Sequence, residues 1–302
     1  MDNTSTQALN EQKLEQAKEL AALGIALEMQ ERYQEAKESS QEAVNIRKEV
    51  LTEKHMLVAE SLSHLGGVLL ILGDFAEAER AHASALSIGK LCVGNQHQVV
   101  ADYHGRLGVA MLHQGKLSLA EKQCRMALEK RMNEPSSIHI HVAQSLNDLG
   151  FVMLHLARLS EALQCFDKAM GNVNASSSVE TARSLDGMGR VMCMQCRLSA
   201  AEKYHHRALG IRKHVLGDFH SDVAESLLAL AQVTCCKAEF PKGREYAQLA
   251  LDITQKVFWR QTPNSCQSSF LARAGNHGAR TVFPGRGASP HSPDYQKKLA
   301  CG

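Results

Sequence analysis

Ala59-Glu60-Ser61-Leu62-Ser63-His64-Leu65-Gly66 opens the stretch that decides the fold. It continues through Gly73-Asp74-Phe75-Ala76-Glu77-Ala78 to Ala85-Leu86 and closes at His97. Forty-two residues later the pattern begins again. A glycine slot falls at Gly24, Gly66, Gly108, Gly150 and Gly189, with Ala231 sixth, in steps of 42, 42, 42, 39 and 42. A second slot keeps phase with it at Ala36, Ala78, Ala120, Ala162 and Ala201, then Gly243. A third runs Ala43, Ala85, Ala127, Ala169, Ala208 and Ala250. Self-similarity at one period across six copies is the signature of stacked supersecondary units, each unable to bury its apolar face alone.

Each copy reads as two helices. Leu20, Leu23, Gly24 and Leu27, or Leu62, Leu65, Gly66 and Leu69, stand at offsets 0, 3, 4 and 7, which places them on one helical face. Small residues recurring on both helices predict a crossing where the backbones come close. A bulky residue such as leucine at Gly66 or Gly150 is expected to cost roughly 1–3 kcal/mol by overpacking. The expectation for Gly150→Leu is a melted or split array, and for Asn147→Ala an intact one. A histidine stands four residues before the next helix-A alanine at His55, His97, His139 and His220, with Ser178 in the short copy. That recurrence predicts a capping or loop-fixing role. The short step removes about one helical turn between Gly171 and Ser178 and predicts a tighter joint there.

The expected organisation is an all-α solenoid of about six helix pairs over 17–258. The repeats are placed at about 17–58, 59–100, 101–142, 143–181, 182–223 and 224–258. Residues 1–16 read as a lead-in, disordered over the first ten and helical from Glu11 to Gln16. Residues 259–302 hold four of the six prolines and no apolar periodicity, and read as a disordered tail. Either Trp259, Phe270 and Leu271 fold back over the last pair, or this is an alternative end to a longer protein. The tail carries six basic residues against Asp294 alone, although the whole chain is only +2. So little net charge gives no strong field for nucleic acid. Ser289-Pro290 and Ser292-Pro293 are candidate proline-directed phosphorylation sites whose modification would offset that basic charge.

The repeat slots resemble the tetratricopeptide repeat, whose consensus positions are filled by Leu62, Leu65, Gly66, Leu69, Ala78 and Ala85. The period is eight longer than the basic 34 residues. With Leu216-Gly217-Asp218-Phe219-His220-Ser221-Asp222-Val223-Ala224 and Ala208-Leu209-Gly210-Ile211-Arg212-Lys213, it looks like the kinesin light chain and nephrocystin-3 class. The resemblance implies a right-handed superhelix with the first helix of each pair lining a concave groove that binds peptides or partner helices. In kinesin light chains paired asparagines in that helix hold the ligand backbone. Asn147-Asp148 is the near-copy, with Ser63-His64, Gly105-Arg106 and Asp186-Gly187 at the same place in other repeats.

Helix phase nominates Arg106, Gln144, Asn147, Arg183, Asp186, Arg190 and Gln232 as groove residues, with His113 and His155 further along. Cys193 and Cys196 form a CxxC, with Cys235-Cys236 one repeat on, but the pairs lack the ligand spacing of a zinc site and read as structural. No Gly-rich phosphate loop, nucleophile elbow or HExxH is present. The expectation is therefore a non-enzymatic protein-binding scaffold without metal or cofactor, of unknown oligomeric state. The alternative is a regulatory or adaptor subunit of an enzyme or motor assembly. Nucleic-acid binding by the tail is a third and weaker reading. The start Met1-Asp2-Asn3-Thr4 shows no signal peptide, no apolar run is long enough to span a bilayer, and the expected place is the cytoplasm.

Overall fold

The computed structural model describes residues 3–133, 139–172 and 178–261. They form twelve helices: α1 (Asn3–Met29), α2 (Tyr33–Leu51), α3 (Met56–Leu72), α4 (Phe75–Val93), α5 (Gln98–His113), α6 (Leu117–Met132), α7 (His139–His155), α8 (Leu159–Gly171), α9 (Val179–Met194), α10 (Leu198–Leu216), α11 (Ser221–Cys236) and α12 (Phe240–Gln261). No strand occurs among the described residues, and the architecture is the helix-pair solenoid the repeat predicts. The tail beyond 261, with the candidate phosphorylation sites, lies outside the described residues. At the other end α1 begins at Asn3, where the sequence reading placed disorder. Gln7, Ala8, Leu9, Glu11, Gln12, Lys13 and Leu14 are strong helix formers, and propagating an existing helix adds one hydrogen bond per residue fixed.

Odd-numbered helices are the first of each pair, even-numbered the second. Each pairs tightly with its partner and then with the next repeat. In addition α1, α3, α5, α7 and α9 pack against one another in succession, which puts the odd helices on the inside of the curve. The closest of these approaches is α7 to α9. It follows α8, at 13 residues the shortest helix, where the sequence lost a turn.

Each odd helix ends the same way. Within two residues of its end comes a residue with positive φ: Glu31 59°, Gly73 83°, Gly115 73°, Ala157 56°, Cys196 57° and Ala238 61°. The next amide then reaches back five residues, as from Arg32 to the Leu27 carbonyl (2.8 Å) and from Lys116 to Met111 (2.9 Å). This is the Schellman closure, which satisfies carbonyls the helix leaves unpaired. The next odd helix starts from the recurrent loop position: Nδ1 of His55, His97 and His220 accepts from Leu57, Val99 and Asp222 N–H at 3.2, 3.2 and 3.1 Å. Ser178 Oγ does the same for Thr181 N–H at 3.1 Å in the short copy. The histidines act as N-caps, which requires a neutral ring with a free lone pair on Nδ1.

One position is out of keeping with its copies. Gly94 (φ 83°, ψ 163°) and Gly217 (φ 84°, ψ 169°) end α4 and α10, and Thr52 holds the same conformation (φ 86°, ψ 154°) after α2. That region is nearly exclusive to glycine, and a β-branched residue there costs of order 1–3 kcal/mol. Thr52→Gly is expected to stabilise the chain by about 1 kcal/mol after the greater freedom of glycine in the unfolded chain is allowed for, raising Tm by about 2–4 °C. A thermal melt that is unchanged or lowered would show the strain to be absent.

The glycine slot has a more specific reason than backbone approach. A β-carbon on Gly24, Gly66, Gly108, Gly150 or Gly189 would lie 2.6–2.7 Å from the side chain sixteen residues on: Ser40, His82, Cys124, Phe166 and His205. The glycine leaves a seat on the odd helix, and a different side chain of the even helix fills it in each repeat. The largest, Phe166, is fully buried and also meets Gly187 of the following repeat, a second glycine outside the periodic slot.

A further device joins consecutive repeats. Arg47 Nη1 donates to the Leu57 carbonyl (2.9 Å) and to Ser61 Oγ (2.7 Å). Arg131 does so to His141 (2.6 Å) and Ser145 (2.6 Å), and Arg212 to Asp222 (3.1 Å) and Ser226 (2.7 Å). All three arginines are buried. In the second repeat the positions are Gly89 and Tyr103, and the phenol ring fills the space an arginine stem would take: a β-carbon on Gly89 would lie 2.7 Å from Tyr103 Cε2.

Candidate functional site

On the inner side, α5, α7, α9 and α11 converge on a pocket of about 310 Å³, and Phe151 lines it among them. Phe151 follows Gly150 in sequence, one helical step round from the seat filled by Phe166. The two rings meet edge to face at 5.2 Å, so the buried ring supports the half-buried one. Two guanidiniums from α9 flank Phe151: Cζ of Arg183 lies 5.7 Å and Cζ of Arg190 5.8 Å from its centroid. Both distances suit attraction between a cation and a ring face.

Carboxylates hold the arginines in place. Arg183 Nη2 contacts Asp148 Oδ1 at 2.8 Å, and its Nη1 contacts Glu180 Oε2 at 3.2 Å. Burial lowers the Arg183 pKa, but these two acids outweigh it and raise it. Arg190 donates from Nε to Asp186 Oδ2 (2.8 Å) and from Nη2 to Glu225 Oε1 (2.7 Å). Asp186 also meets His205 Nδ1 at 3.0 Å. Burial pushes the Asp186 carboxyl up, yet the hydrogen bond from His205 and the charge of Arg190 prevail and hold it at about 2. Further along the rim the His113 ring stacks on Phe75 at 4.9 Å with an angle of 10°. Partial burial, then the neighbouring His155, lower its pKa.

The structure gathers Arg183, Asp186, Arg190, His113 and His155 around this pocket. Arg106 on α5 and Gln232 on α11 are exposed, and Gln144 on α7 is half-buried. Two of the residues read as groove contacts have their polar atoms buried in the packing instead. Asn147 is fully buried; its Nδ2 donates to the Glu180 carbonyl (3.0 Å) and carboxylate (2.9 Å), and its Oδ1 accepts from Ser184 (2.7 Å). Asp186 is 1% exposed. One residue step turns a helix through about 100°, enough to move a side chain from the groove face to the face that packs on the next repeat. Asn147→Ala is therefore expected to cost about 1–3 kcal/mol rather than nothing, because it strands buried partners. Phe151 itself escaped the sequence reading. Its signal was its phase: four residues before the His155 rim position, in the slot that holds Val109 one repeat earlier and Arg190 one repeat later.

Cys193 is half-buried, while Cys196 occupies the positive-φ position after α9. The CxxC therefore straddles a helix end, which is a turn requirement rather than a ligand arrangement. No group of metal-ligating side chains occurs among the described residues.

Comparison with known proteins bears on the repeat and on the fold. The family described as Tetratricopeptide repeat matches residues 15–90 and 180–256, just over half the chain. No curated protein sequence matches it. Among solved structures, BtubC (BKLC) from P. vanneervenii is similar with a TM-score of 0.52 at 19% identity, over 86% of this chain and 96% of that one. A Podosopora anserina chain described as a kinesin light chain of nearly identical TPR-like repeats scores 0.53 at 15% identity, over 66% of this chain and 95% of its own. A Rap protein complexed with Competence and Sporulation Factor scores 0.59 at 12% identity, over 80% and 75%. At such identities the likeness is one of fold.

Proposed function

The chain belongs to the tetratricopeptide repeat family, and from that premise we propose that it is a non-enzymatic scaffold of the cytoplasm that binds a peptide or helix of another protein on its inner face. The observation that carries this reading is the setting of Phe151: an aromatic ring half open to an inward-facing pocket, with two guanidiniums 5.7 and 5.8 Å from its centroid and a second ring edge to face with it. Buried aromatic and arginine anchors are the side chains that dominate protein interfaces. They are held here before any partner arrives, so little ordering cost falls on binding. The neighbouring Rap fold in complex with Competence and Sporulation Factor supports a ligand of this general kind.

Arg106, Gln144, Arg183, Arg190, Gln232, His113 and His155 are the proposed contacts, with Asn147 holding the joint to the next repeat and Asp186 holding Arg190 in place. A catalytic reading has less support. The Asp186–His205 pair resembles an acid–base dyad, but His205 is 1% exposed beneath Gly189, and Arg190 occupies the carboxylate. No helix among the described residues is long and apolar enough to cross a membrane.

The test is a peptide selection on the full chain, repeated on Phe151→Leu combined with His155→Ala. Leucine keeps the packing against Phe166 but removes the ring face. We expect at least tenfold weaker binding, about 1.4 kcal/mol, with a melt within about 2 °C of the parent. Undiminished affinity in the folded variant would refute the groove. The adaptor reading, favoured by the shared fold of the kinesin light chain structure, predicts a stoichiometric motor or enzyme subunit on co-purification.

A further inference from the structure

The longest-range contact in the array joins its two ends. Glu31 Oε1 accepts a hydrogen bond from the Ser221 backbone N–H at 3.0 Å across 190 residues. The His220 ring lies 3.9 Å from the same oxygen. Apart from the contacts that Ser221 makes here, the described side-chain hydrogen bonds link residues no more than 40 apart, from one repeat to itself or its neighbour. Tyr33 closes the other side of the contact, with Ser221 against it and its pKa pushed up to about 12, first by burial.

We propose that Glu31 is a latch that fastens the first repeat to the sixth and holds the inner face closed. Three observations support the assignment. Ser221 is the first residue of α11, where a helix has no internal acceptor for its N–H groups and carries partial positive charge, so a carboxylate is the favoured partner. Glu31 also stands in the positive-φ slot that ends every odd helix, where the other five copies have glycine, alanine or cysteine. A long acidic side chain is the odd one there; it is 7% exposed and directed at the opposite end of the array. Finally, the seam is thin. The apolar clusters around Leu27 and around Leu227 remain within their own ends, and no core crosses from one to the other. A charged hydrogen bond at a helix terminus favours the closed state about ten- to a hundredfold.

The seam covers a cavity of about 570 Å³ in which Ile25, Met29 and Ile71 stand exposed. Releasing Glu31 widens that end of the inner face beside this apolar ledge. The effect on partner entry rests on the groove reading above; the latch itself does not.

The test uses the full chain without a partner. Glu31→Gly gives the slot the residue found at Gly73 and Gly115, so the first repeat stays folded while the carboxylate is lost. Amide exchange at the start of α11 should quicken about ten- to a hundredfold, the amides of α1 and α2 should not, and small-angle scattering should show a larger radius of gyration. Glu31→Gln, which keeps an oxygen acceptor without the charge, should fall between. Unchanged exchange at Ser221, scattering curves that superimpose, or quickened exchange across α1 and α2 as well would each overturn the latch.

Discussion

Gly150→Leu will break the array in its middle. A β-carbon at that position would lie 2.6 Å from Phe166 Cε1, and the ring has little room to move because Gly187 of the next repeat also lies against it. Overpacking of a closed core costs about 1–3 kcal/mol for a modest excess of volume, and four added carbons with no free space should exceed that. Since repeats stack only on neighbours, we expect a melt in two steps, with the repeats before the lesion surviving the first. Phe166→Ala alone should cost about 3–5 kcal/mol by opening a cavity. The combination is the decisive measurement. In Gly150→Leu with Phe166→Ala the leucine enters the space the ring leaves. The double variant should therefore be at least about 2 kcal/mol more stable than the two losses added together. Urea or thermal denaturation followed by circular dichroism reads this. Strict additivity would mean that the glycine does not serve the ring. The consequence reaches the pocket, because Phe166 also supports Phe151 from behind.

Arg131→Ala is expected to cost about 3–5 kcal/mol. The guanidinium is 4% exposed and bonds the His141 carbonyl, Ser145 Oγ and Asp102 Oδ1, each at 2.6 Å. Removing one partner of a buried charged network leaves the others without compensation, and this is where the large losses arise. The chain itself contains the alternative solution. Gly89 with Tyr103 fills the equivalent space in the second repeat by volume instead of charge. Arg131→Gly with Ser145→Tyr should therefore recover more than half of the loss seen in Arg131→Ala. If it recovers nothing, the arginine's contribution lies in Asp102 rather than in joining α6 to α7.

How much of this could be read from the residues depends on whether a position repeats. The alanine and glycine slots repeat because each odd helix must offer the same seat, so they stood out. The side chains that fill the seat do not: serine, histidine, cysteine, phenylalanine and histidine at Ser40, His82, Cys124, Phe166 and His205 share no chemistry, only a location. Gly187 looked incidental until Phe166 gave it a cause. The arginines were legible in principle, since Arg47, Arg131 and Arg212 each stand fourteen residues before a serine. The exchange to Gly89 and Tyr103 hid the pattern. Asn147 was misplaced because a groove residue and a joint residue are one position apart on a helix, less than a periodicity argument resolves.

The residues alone determined the helical type, the six-fold repetition and the shortened fourth unit, because those follow from spacing along one chain. Only the tertiary structure decided which ring lies in which seat, that Phe151 rather than Asn147 opens onto the inner face, and that Glu31 meets Ser221. These depend on how small rotations accumulate from repeat to repeat until distant segments touch. No local pattern encodes that sum.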